Sequence, residues 1–150
     1  MAASQKITPH FWFHTEKGTL GEVLAYYQVV FGAEWKSGSV ISLGNTPSGY
    51  AEMCSVELFG SRYSMISTES LHHPFNDAAS MILTCEDQSE IDHYWNYFTQ
   101  EGQESQCGWC QDKFGFRWQV IPQNLGVLLQ KENGFKTMMK QTKIVVAEYK

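Results

Sequence analysis

The sequence predicts an α+β chain in which a strand–helix–strands unit occurs twice. Two runs, Leu20–Phe31 and Ser89–Thr99, carry apolar residues three and four apart, and each follows a short apolar, strand-like run. Near the end of the chain Phe116, Trp118 and Val120 alternate with Arg117, Gln119 and Ile121, the mark of a strand with two different faces. Clusters of Gly, Pro, Asn and Ser separate these runs, as turns require. The two halves share almost no sequence identity, so the repeat rests on pattern alone.

A length of 150 residues suits one domain with a real core, and an aromatic share of 14% fits a core built of rings rather than disorder. The formal charge of −5 argues against nucleic acid as a partner. The thin basic cluster at Lys131, Lys136, Lys140 and Lys143 reads as a solvated face. No apolar run approaches the roughly 20 residues of a membrane helix, and MAASQKITPH has no signal-peptide core, so the expected compartment is the cytoplasm, with no membrane partner. Four cysteines, Cys54, Cys85, Cys107 and Cys110, are too few for a disulfide scaffold at this length.

Taken in order, Ile7–Phe13 is the first strand, with Pro9 at its start or edge because it lacks an N–H. His14–Thr19 is a polar turn containing Gly18, and Thr15 or Thr19 is the expected cap of the helix Leu20–Phe31, which Gly32 ends. Trp35–Leu43, interrupted at Gly38, Ala51–Phe59 and Arg62–Ser67 are strands, the last two joined by a tight turn at Gly60 and Ser61. The first module spans about residues 7–67. Residues 68–78 form a linker. Ala79–Cys85 opens the second module, about 79–122, with Asp87 or Ser89 as the cap of the second helix and Gly102 as its stop. Glu104–Gln111 and Phe116–Pro122 are its last strands, with Glu104–Gln106 a candidate third. The tail, 123–150, holds helices at Leu125–Leu129 and Lys136–Gln141. Ile144, Val145 and Val146 are apolar enough to dock on a surface, that of a partner subunit being one choice.

ITPHFWF near the start, Cys85-Glu86-Asp87-Gln88 before the second helix, Gln106-Cys107-Gly108-Trp109, Asp112-Lys113-Phe114-Gly115 and Trp118-Gln119-Val120-Ile121-Pro122 together resemble the PhnB-like proteins. These form a branch of the vicinal-oxygen-chelate superfamily, which includes glyoxalase I and bleomycin-resistance proteins, and the branch is often labelled demethylubiquinone methyltransferase-like. The resemblance runs from about Ile7 to Pro122 and is most specific from Gln106 to Pro122. It implies paired βαβββ modules, the second shortened here, that curve as mixed sheets around a cleft, and it implies a homodimer. It also implies that metal-dependent members place His, Gln or Glu ligands on the inward faces of the first and last strands of each module. Those positions fall near Pro9 or Phe11 and Ser67 in the first module, and near Ser80 and Gln119 in the second. Of these only Gln119 suits a metal, whereas a catalytic divalent site needs about three protein ligands. No cofactor is therefore expected and a divalent metal is disfavoured; if one binds, His10, one register step away, and Gln119 are the candidate ligands.

The remaining chemistry is weighed residue by residue. Adjacent His72 and His73 diverge and read as solvated or structural, as does His93 on the second helix; His14 sits in a turn that could rim the cleft. Cys107-x-x-Cys110 lacks the second ligand pair of a zinc site and the helix start of a redox pair; the resemblance, whose most specific block includes Cys107, implies at most one reactive or cleft-lining thiol there. Ser67, Ser80 and Gln119 either bond each other or water, or take a ligand. Trp12, Phe75, Trp109 and Trp118 line either an apolar wall or the core. The expected cleft set is thus Trp12, Ser67, Phe75, Ser80, Cys107, Trp109 and Gln119, with no catalytic residue assigned. No phosphate-cradling GxGxxG, Walker loop or HExxH occurs, and HTEKG after Phe13 is not the Gly-rich turn of the usual methyl-donor folds. Three readings follow. The first is a small-molecule binding protein without a catalytic metal. The second is an enzyme of the same fold: a metal-assisted lyase, isomerase or dioxygenase, or a transferase. The third is a methyltransferase acting on a quinone precursor.

Overall fold

The computed structural model describes residues 4–15, 19–70 and 73–150, so the expectations placed on Gly18 and His72 lie outside the described residues. The chain divides into two compact units, residues 1–73 and 74–150.

The first unit is a five-stranded mixed sheet with one helix on it. Strand β1 (His10–His14) runs parallel to β5 (Ser61–Thr68), β5 is antiparallel to β4 (Gly49–Leu58), and β4 pairs with both β2 (Trp35–Ser37) and β3 (Ile41–Thr46). The first strand opens at His10 rather than Ile7: Ile7 is 85% exposed, and Pro9 contributes its carbonyl to Ser64 N–H (2.9 Å) just outside the ladder. The break expected at Gly38 divides β2 from β3; there Gly38 N–H bonds to the Ser55 carbonyl (2.8 Å).

Helix α1 (Gly21–Phe31) buries Val23, Tyr26, Tyr27, Val30 and Phe31. Tyr27 meets Phe13 of β1 edge-on and Trp35 of β2, and Phe31 stacks on Trp35 (centroids 6.2 Å apart). Burying each such ring is worth about 1.5–3 kcal/mol. Neither expected threonine caps the helix. Thr15 Oγ1 donates to the Thr19 carbonyl, and the first N–H, that of Leu20, is taken by Glu52 Oε1 of β4 at 2.9 Å. A carboxylate from a distant strand thus does the work of a local cap. Gly32 ends α1 as expected, at φ +58, a conformation that costs glycine least.

The second unit repeats the arrangement with a smaller sheet. Strand β6 (Met81–Cys85) runs parallel to β9 (Arg117–Pro122), which is antiparallel to β8 (Trp109–Gln111), which in turn pairs with β7 (Gln103–Glu104). Of the two expectations for Glu104–Gln111, one strand or a separate short strand at its start, the second is close: the strands part because Cys107 (φ +58) and Gly108 (φ +84) turn the chain between them. Helix α2 (Gln88–Gln100) is capped by Asp87, whose side chain accepts Glu90 N–H at 2.9 Å. It packs Ile91, Trp95 and Phe98 onto the sheet, with Phe98 stacked on Trp118 at 4.7 Å.

Helices α3 (Leu125–Leu129) and α4 (Gly134–Lys140) follow, then a 3-10 turn, Val146–Glu148. The tail docks on its own unit: Ile144, fully buried, packs with Leu128 and Tyr149, while Gln88 of α2 bonds the Ile144 carbonyl and the Val146 N–H. The second tail helix begins at Gly134, two residues before the expected Lys136.

Candidate functional site

In the second unit Trp118, Val120 and Pro122 of β9 face α2, so Arg117, Gln119 and Ile121 stand on the other face. The register places Ile82 of β6 and Trp109 of β8 on either side of Gln119, all three on that face. Ser80, two residues before Ile82, is bonded to it: Gln119 Nε2 donates to Ser80 Oγ at 2.9 Å. That leaves the Gln119 carbonyl oxygen as an acceptor and the Ser80 hydroxyl as a donor, side by side between an aliphatic and an indole side chain. The cation on this face is tied down. Arg117 Nε is 2.8 Å from Asp77 Oδ1, and its Nη1 donates to the Phe75 and Gly115 carbonyls. The other side chains that β6, β8 and β9 place on it, Thr84, Ile121 and Gln111, are uncharged.

In the first unit the face opposite α1 carries His10, Trp12 and His14 of β1 with Ser64, Ile66 and Thr68 of β5. His10 Nδ1 and Ser64 Oγ are hydrogen-bonded at 2.9 Å, Trp12 Nε1 donates to Thr68 Oγ1 at 2.7 Å, the Thr68 hydroxyl donates to the Ser70 carbonyl, and His14 Nε2 bonds the Glu69 carbonyl. The carried-over ligand positions are one register step off here. Phe11 and Ser67 point to the α1 side, where Ser67 pairs with Phe13 and Glu52 and is wholly buried, while His10 takes the opposite face. Sequence patterning missed Ser64, Thr68 and Ile82; the parallel pairing of first and last strand that selects them has no local signal.

The other expected residues separate. Phe75 packs edge-on against Phe116 (5.1 Å), which meets Trp118, so Phe75 and Trp118 extend the core side of the sheet. Asp112, buried at 2% exposure, closes the turn before β9: it accepts the N–H groups of Phe114 and Phe116 on Oδ1 and the Trp118 indole on Oδ2. Cys107 stands in the turn before β8, its Sγ against Met139 of α4. Cys110 faces the core, its thiol pushed up to about 12 by burial and by Asp112 and Glu104. Burial, with Glu90 and Asp87, likewise raises Cys85 to about 12. His93 is exposed on α2 and His73 is exposed beside the division between the units.

Among the described residues no three His, Cys, Asp or Glu side chains are grouped to hold a metal ion. The donors beside Gln119 are one amide and one hydroxyl, both neutral and bonded to each other, which does not fit the three-ligand set of a catalytic divalent site. A depression of about 480 Å³ lies at the start of α2, lined by Glu86, Asp87, Gln88, Pro122, Gln123, Asn124, Val146 and Ala147; it contains none of the expected site residues. Among the described residues no helix is long and apolar enough to cross a membrane.

Residues 5–121 match the sequence family described as 3-demethylubiquinone-9 3-methyltransferase. The chain belongs to this PhnB-like family. Among solved structures it is similar to the PhnB protein of Bacillus cereus, which carries the same methyltransferase name: 25% identity, TM-score 0.66, covering 79% of this chain and 99% of that one. It is also similar to protein PA1353 of Pseudomonas aeruginosa (12% identity, TM-score 0.57, 78% and 98% covered) and to the fosfomycin resistance protein FosX of Listeria monocytogenes (14%, 0.53, 83% and 98%). Glyoxalase I of Leishmania major has the same fold (12%, 0.51, 82% and 91%). Among curated proteins none matches the chain. This PhnB-like chain therefore has the glyoxalase/bleomycin-resistance fold of the vicinal-oxygen-chelate superfamily, as its sequence motifs implied.

Proposed function

We propose that this PhnB-like protein binds a neutral small molecule on the face carrying Gln119, Ser80, Ile82 and Trp109, without a catalytic metal, and works as a cytoplasmic homodimer. One observation carries the reading: the Gln119–Ser80 pair offers an acceptor and a donor between two apolar side chains, with the nearby arginine already neutralised. Such a surface suits a flat, largely apolar molecule with one or two hydrogen-bonding groups. Among the described residues, a carboxylate or phosphonate would find no free cation on the strand positions around Gln119. Elemental analysis and titration with Ni²⁺, Zn²⁺, Mn²⁺ and Fe²⁺ test the metal-free part: stoichiometric metal that is lost in Gln119→Ala would overturn it. Light scattering at micromolar protein tests the dimer, which a monomeric mass would contradict.

The family's name favours a second reading, a methyltransferase. Calorimetry with the sulfonium methyl donor decides it, since no heat of binding removes that reading and saturable binding establishes its first requirement.

A further inference from the structure

Independently of the Gln119 face, the second unit brings two sulfur atoms together. Cys107 Sγ lies 3.9 Å from Met139 Sδ. The two come from different elements, the turn before β8 and helix α4. Two backbone bonds hold those elements in register: Cys107 N–H to the Gln141 carbonyl and Gly108 N–H to the Thr142 carbonyl, both 2.8 Å. Cys107 holds φ +58, unusual for a side-chain-bearing residue, and Gly108 beside it, at φ +84, is tightly enclosed: a Cβ there would lie 3.0 Å from the Val120 carbonyl oxygen and 3.1 Å from Ile144. The backbone segments that carry the two sulfur atoms are thus tied to each other within the fold. It is also reachable: Met139 is 60% exposed and Cys107 is half-buried, whereas Cys54, Cys85 and Cys110 are each buried.

We propose that Cys107 and Met139 form a binding site for a soft monovalent metal ion, of which Cu(I) is the type. Thiolate and thioether donors select such ions over zinc, magnesium or calcium. With metal–sulfur bonds of about 2.3 Å, a separation of 3.9 Å subtends roughly 115° at the metal. That is close to trigonal and leaves a third position for an outside donor such as a small thiol. Binding exchanges the Cys107 S–H proton for the metal: the S–H bond breaks, the thiolate–metal bond forms, one proton leaves to solvent, and neither metal nor sulfur changes oxidation state.

The test is an anaerobic titration of the reduced, full-length chain with Cu(I), supplied as its acetonitrile complex in competition with a chromogenic Cu(I) chelator. The methyl resonance of ¹³C-labelled Met139 is followed in parallel. The expected result is one Cu(I) per chain, a shifted Met139 methyl signal, loss of binding in Cys107→Ser, and affinity reduced by roughly tenfold or more in Met139→Leu. The second variant alters an exposed side chain, so its fold is retained. Unchanged affinity in Met139→Leu, an unmoved methyl signal, copper retained by Cys107→Ser, or Zn(II) bound as tightly as Cu(I) would each overturn the site.

Discussion

The two units of this chain are built on one plan and finished differently. In each, the first strand runs parallel to the last, one helix covers one face, and rings fill the space beneath it: Phe13, Tyr27, Phe31 and Trp35 in the first unit, Trp95, Phe98 and Trp118 in the second. The faces away from the helices differ. The first carries two imidazoles and an indole, each bonded to a neighbouring hydroxyl or carbonyl. The second carries a neutral amide–hydroxyl pair between Ile82 and Trp109. Packing requirements keep the helix-facing positions alike, while the opposite positions are free to diverge in chemistry. Function is therefore to be sought in the divergent faces.

The largest effects come from the shared plan. Trp118→Ala removes the ring stacked on Phe98 and leaves the Asp112 carboxylate short of a donor. It should cost about 3–5 kcal/mol in urea unfolding, and Phe13→Ala, its counterpart in the first unit, a similar amount; a cost below 1 kcal/mol for either would break the parallel. Asp112→Ala has no counterpart among the described residues of the first unit. It strands two backbone N–H groups and an indole N–H, and should cost about 3 kcal/mol or more.

Alkaline pH comes next: burial raises the Cys54 thiol in the first unit too, but the largest rises lie in the second. Cys85 and Cys110, both in the second unit, have thiols raised to about 12 when folded, against 9.0 otherwise. The folded chain then holds protons that the unfolded chain releases, so their stabilisation is whole below pH 9.0 and is lost as pH rises toward 12. Each thiol contributes a slope of up to about 1.4 kcal/mol per pH unit in that window. Urea midpoints measured between pH 8 and 11 should fall, and less steeply in Cys110→Ala.

Smaller still are the helix starts. Glu52→Ala removes the tertiary acceptor of α1 and Asp87→Ala the local cap of α2, each costing about 1 kcal/mol. Smallest is Lys143→Ala. Gln88 and then Lys143 hold the Asp92 carboxyl below its ordinary value, so losing Lys143 should move its NMR titration upward. The stabilisation from that pair is present above the ordinary carboxylate range and fades as pH falls through the lowered value.

Much of this plan is legible in residue order. The three-and-four spacing finds α1 and α2, Gly32 and Asp87 mark their ends, and the alternation around Gln119 finds a strand with two different faces, of which the one with Trp118 and Val120 is buried. What is not legible depends on distant partners. Glu52 caps α1 from another strand. The register of β1 against β5 turns Ser67 toward α1 and His10 away from it. Cys107 looked like a strand residue beside Trp109, but the positive φ values at Cys107 and Gly108 turn it toward Met139 instead. A strand's two faces differ by one residue, so an uncertain start inverts every assignment along it.

The most direct test is to follow the Gln119 side-chain amide and the Trp109 indole by ¹⁵N NMR while chelator-treated protein is titrated with a set of neutral ring compounds carrying one or two hydroxyl or carbonyl groups. The account predicts saturable shifts of both signals for at least one compound, abolished in Gln119→Ala and unaffected by added metal. Binding that leaves both signals unmoved, or that appears only when a divalent metal is restored, would contradict it.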